Sequence, residues 1–120
     1  MKEVNTFVLT LLHAVTNAHI IHWQCIDRSY AEHVALGEFY EELQELVDEL
    51  MESIMGKYEF PTEFPAIYYK PAKDGKTELT DLKNFVQQNR KEMPQDSEIQ
   101  NQIDEIAQLI NKTLFLLRAP

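Results

Sequence analysis

No proline occurs before Pro61, and through those sixty residues apolar side chains recur at alternating spacings of four and three. A chain without a proline break and with that period buries its apolar groups as long amphipathic helices. Residues 1–25 carry Val4, Val8, Leu11, Val15, Ala18 and Cys25, with His22 in the same seam. A break follows at Ile26-Asp27-Arg28, where Ser29 and Glu32 have the spacing of a capping box. A second stripe then runs through His33, Leu36, Tyr40, Leu43, Val47, Leu50 and Ile54 to a stop at Gly56. So short a connection predicts an antiparallel hairpin.

Residues 57–77 read differently, with Tyr58, Phe60, Pro61, Phe64, Pro65, Tyr68, Tyr69, Pro71 and Gly75. The segment is longer than a connection that merely turns the chain. It is expected to cross over along the bundle, held by its own aromatic rings, so that the third helix runs parallel to the second. The same rings at 58–69 would also suit a partner-binding surface. A shorter helix over 78–92 contains Leu79, Leu82, Phe85 and Val86 and is ended by Pro94. Ser97 with Gln100 then offers a second capping box, opening a last helix with Ile99, Ile103, Ile106, Ile110, Leu114 and Leu117. The expected fold class is all-α: a ferritin-like four-helix bundle with a long crossover between helices 2 and 3, one domain over residues 1–120.

Charge and cysteine content narrow the function classes. Asp plus Glu number 20 against 11 Lys plus Arg, a formal charge of −9, which repels phosphate backbones and argues against nucleic acid as a partner. The single Cys25 excludes an internal disulfide framework and a cysteine-only zinc site, and fits a reducing compartment. It reads as a small core residue rather than a reactive thiol. Phe7 to Val15 resembles the apolar part of a signal peptide, but His13 interrupts it and Glu3 spoils the positive start. No stretch approaches the ~20 apolar residues of a membrane span. The expectation is a cytoplasmic protein with no membrane partner.

His13, His19 and His22 lie within ten residues of the first helix, and the fourth histidine is His33. His22 and His33 flank the turn at similar distances, so a hairpin brings them to one level on the inward stripes. Two imidazoles there suit iron or zinc, or equally a hydrogen-bonded polar pair. Asp48 and Glu52 share one helix face, but Asp48 lies about 22 Å beyond His33 at 1.5 Å per residue. They cannot share a metal with His33 of their own chain. Two copies of helix 2 packed antiparallel about a twofold axis near Tyr40 and Glu41 would bring them to the partner's histidines, creating two sites at once. Alone, Asp48 and Glu52 read as part of a solvated acidic face with Glu38, Glu41, Glu42, Glu45 and Glu49.

"HW", a short loop, "H", then "D…E" four apart near the end of the second helix resembles the Dps-type mini-ferritins, and "QIDEIAQLINKTLFLLRAP" resembles their fourth helix. These are four-helix bundles that oxidise ferrous iron at sites shared between two subunits. The resemblance covers 11–57 and 97–119. It implies His22 and His33 as iron ligands from one subunit, Asp48 and Glu52 from its twofold mate, and Trp23 as the aromatic beside the metal. It also implies a homo-oligomer built on helices 1 and 2. The family's further aspartate, one turn after the second histidine, is Gly37 here; Glu38 points about 100° away. A glycine inside a helix costs about 1 kcal/mol against alanine and marks either a tolerant site or a close approach, such as that of a partner's helix. The segment "MKEVN" has no Lys-rich extension of the kind that binds DNA. Iron oxidation is thus the leading expectation. A metal-free bundle acting as a structural or interaction module is the alternative. A di-iron site within one bundle would need Glu-x-x-His on two helices, and the last helix has no histidine.

Overall fold

A computed structural model describes residues 1–61 and 63–119; Thr62 and Pro120, within the expected 1–120 domain, lie outside the described residues. Four helices account for the fold: α1 (Lys2–Gln24), α2 (Tyr30–Lys57), α3 (Gly75–Asn89) and α4 (Ser97–Leu116). A 3-10 turn at Arg90–Glu92 follows α3. α1 packs on α2 and α3, and α4 packs on the same two, so α1 faces α4 and α2 faces α3 across the bundle. The body measures 44 × 29 × 22 Å.

The direction of α3 follows from two contacts. Its first residue, Gly75, donates its N–H to Glu32 Oε2 at the start of α2 (2.9 Å), and a Cβ on Gly75 would meet Leu36. Farther along, Phe85 lies 5.5 Å ring to ring from Phe7 near the start of α1. α3 therefore runs parallel to α2, as expected, and residues 58–74 travel the length of the bundle to make this possible.

The anchors of that crossover are not the ones the aromatic pattern suggests. Tyr58, Phe60, Phe64, Tyr68 and Tyr69 are all exposed. Instead, two buried asparagines of α1 hold the backbone: Asn5 donates to Glu63 O (2.5 Å) and Asn17 to Tyr69 O (3.1 Å). Asn17 Oδ1 also accepts from the Tyr68 hydroxyl (3.0 Å). An extended segment has backbone groups to satisfy, and buried amides supply both a donor and an acceptor.

The core joins Leu11 and Ile21 of α1, Leu36, Phe39, Leu43, Leu50 and Ile54 of α2, Leu79 of α3, and Ile99, Ile103 and Ile106 of α4, all essentially inaccessible to water. Cys25 is buried among them, and burial pushes its thiol pKa up. The stripe of α1 is wider than expected: Phe7, Ala14 and Ile21 are buried while Val15 is half-buried, because α1 meets the crossover as well as two helices. His33 and Tyr40 are half-buried at the edge of α2, and Phe39 and Met51 take the inward positions.

Cap geometry departs from the sequence reading in both boxes. Ser29 caps α2 by accepting from Glu32 N (3.1 Å), but the Glu32 carboxylate turns to Arg28 and to Gly75 N, joining the start of α2 to the start of α3. α3 begins earlier than expected because Asp74 accepts from Thr77 N (2.8 Å). Ser97 is inside α4 rather than at its cap, and Gln100 reaches back to Arg90 O and Pro94 O. α1 has the length and mean hydropathy (1.3) of a membrane-crossing helix, contrary to the sequence expectation. Half of that window is buried in the bundle core.

Candidate functional site: a stacked histidine pair on the first hairpin

α1 ends at Gln24, which leaves its last carbonyls without helical partners. One of them, His22 O, accepts from His33 Nδ1 at 2.6 Å. The reverse bond is also made: His22 Nδ1 donates to His33 O at 2.5 Å. A carbonyl only accepts, so both Nδ1 atoms carry the proton and both Nε2 atoms keep a lone pair. The two rings stack at 3.8 Å and 12°. Among the described residues, neither Nε2 has a hydrogen-bond partner, and neither is a buried orphan.

Gly37 makes this packing possible. A Cβ at position 37 would lie 2.9 Å from His22 Cε1 and 3.2 Å from Nδ1. The close approach that a mid-helix glycine signals is therefore that of the chain's own His22 ring, not of another chain's helix. An aspartate at this position would collide with the ring in its present pose.

The aromatic surroundings extend the stack. His19 lies face to face with Tyr40 (4.0 Å, 14°) and 4.3 Å from Trp23, while Tyr30 lies 6.1 Å from His33. Trp23 is 61% exposed, so it is no bundle-end packing anchor within the chain. His19, which the ligand spacing does not single out, is part of this cluster; its three-residue separation from His22 is the signal that points to it. His13 stands apart, edge-on to Tyr68 and Tyr69.

Asp48 and Glu52 are exposed on α2, as are Glu38, Glu41, Glu42, Glu45 and Glu49. None of the seven is in an ion pair among the described residues. Within one chain the fold joins His22 to His33 and leaves Asp48 and Glu52 far down the helix. Among the described residues no three His, Cys, Asp or Glu side chains form a group fit to hold a metal ion.

The fold and site define a four-helix bundle with a locked histidine pair on its first hairpin. Residues 22–117, which include all four candidate ligands, match the model of a family of unknown function, DUF5856, and the chain belongs to that family. No curated protein and no solved structure matches the chain.

Proposed function

We propose that this protein is a ferritin-like, Dps-like bundle that binds ferrous iron at a site shared by two subunits and oxidises it. His22 and His33 come from one chain and Asp48 and Glu52 from its twofold mate. The observation that carries the reading is the reciprocal Nδ1–H···O=C lock, which fixes both rings and leaves both Nε2 lone pairs available. Metal-binding histidines are characteristically oriented by such a bond to the other ring nitrogen. Iron is the substrate: each ferrous ion gives one electron to dioxygen or peroxide, and the protein supplies position and negative charge. The unpaired acidic face of α2 favours cations in general and opposes its own self-pairing, so cation binding and dimerisation are expected to support each other.

The test is complementation. Anaerobic ferrous loading followed by oxidant should give saturable oxidation beyond buffer, lost in His33→Ala and in Asp48→Ala. Mixing the two inactive variants should restore about a quarter of the wild-type sites, since each mixed twofold dimer regains one site of two. Activity in either single variant, or a chain that stays monomeric with iron at micromolar concentration, sinks the shared site. A second reading, a metal-free interaction module, is favoured by the exposed Trp23, Ile26, Tyr30 and Val34 around the hairpin turn. Iron oxidation no faster than buffer in the wild type supports that alternative.

A further inference from the structure

Between α1, the crossover and α3 lies a cavity of about 330 Å³, separate from the histidine pair. By liquid volume it has room for about ten waters, within the lower range of small-molecule pockets. Leu82, Phe85 and Tyr69 supply apolar lining; His13, Glu78 and Asp81 supply polar lining.

Two polar groups there lack what burial demands. His13 Nδ1 is buried without a hydrogen-bond partner, which is costly for a ring nitrogen. Glu78 is partly withdrawn from water: its Oε1 accepts from Ala72 N (2.9 Å), and burial raises its pKa above the ordinary value, with the nearby Asp81 charge adding to the effect. Among the described residues no cation pairs with Glu78 or Asp81; Lys70, on the same lining, is not within ion-pair distance of either. A partly desolvated carboxylate without a counter-charge is stabilised by any cation that fits beside it.

We propose that this cavity binds a small aliphatic primary amine, with its ammonium group between the Glu78 and Asp81 carboxylates and His13 Nδ1, and its alkyl chain against Leu82, Phe85 and Tyr69. An ammonium has three donors and no acceptor, which matches three acceptors. An alkyl carboxylate would meet two like charges, and an alcohol would leave the carboxylates uncompensated.

The experiment is an NMR titration of the protein's backbone amides with n-hexylamine, using hexan-1-ol and hexanoate as controls. Saturable shifts centred on Asn17, Ala72 and Glu78 are expected with the amine, and binding at least about tenfold weaker with either control. Glu78→Gln keeps the acceptor for Ala72 N, and Asp81→Asn changes an exposed position; each should weaken amine binding about tenfold. The proposal is overturned by hexan-1-ol binding as well as hexylamine, by amine shifts that follow the acidic face of α2 instead, or by unchanged amine binding in both variants.

Discussion

Replacing Gly37 with alanine puts a methyl group 2.9 Å from His22 Cε1, closer than real Cβ contacts allow, so the imidazole must move. Two terms of opposite sign then compete. Alanine is favoured over glycine inside a helix by about 1 kcal/mol, and Gly37 has no positive φ that alanine would strain. Displacing His22 breaks the reciprocal pair of 2.5 and 2.6 Å bonds, each worth about 1 kcal/mol net, for a loss of about 2 kcal/mol. The variant is thus expected to be destabilised by about 1 kcal/mol, roughly 4 °C in melting temperature for a domain of this size. Gly56→Ala is the control, because a Cβ there would meet no atom within 4 Å; it should gain up to about 1 kcal/mol. Urea unfolding followed by far-UV circular dichroism measures both variants, and imidazole ¹⁵N shifts report whether the Nδ1–H tautomers survive. If Gly37→Ala is stabilised like Gly56→Ala with unchanged imidazole shifts, the lock is not what the glycine serves.

Further outcomes follow from the same contacts. Asn17→Ala removes two bonds to the crossover and leaves Tyr69 O without this partner; a loss of about 1–3 kcal/mol is expected, with faster amide exchange or proteolysis near residues 63–72. Ile103→Ala, at the centre of the core, should cost about 2–5 kcal/mol, whereas exposed Trp23→Ala should change the monomer's stability by no more than about 0.5 kcal/mol in chemical denaturation. Asp74 and Glu78 should give opposite pH signatures in stability measured against pH. The Thr77 N–H holds the Asp74 carboxyl below its ordinary value, so its contribution is present above that value and lost as pH falls through the depressed one; Asp74→Ala removes that loss. Burial raises Glu78, so its contribution is complete below the ordinary glutamate value and lost as pH rises through the raised one. Glu78→Gln should therefore stabilise the protein above that window and not below it.

Periodicity alone made the four helices legible, because a side chain's place around a helix depends only on its number. It also placed His22 and His33 at one level and separated them from Asp48, since rise per residue is fixed. The antiparallel hairpin and the parallel third helix followed from two connection lengths. What the sequence did not decide is how polar groups pair across elements. The aromatic residues of the crossover have the look of anchors, yet Asn5 and Asn17 hold it, because an extended backbone needs donors and acceptors more than it needs rings. The spacing of Glu32 from Ser29 suits a cap on its own helix, and the packed bundle instead offers it the first amide of α3. Gly37 signals a close approach without saying by what. Only the tertiary structure could answer, because the ring that fills the space belongs to another helix, and its distance from α2 is set by how the hairpin packs.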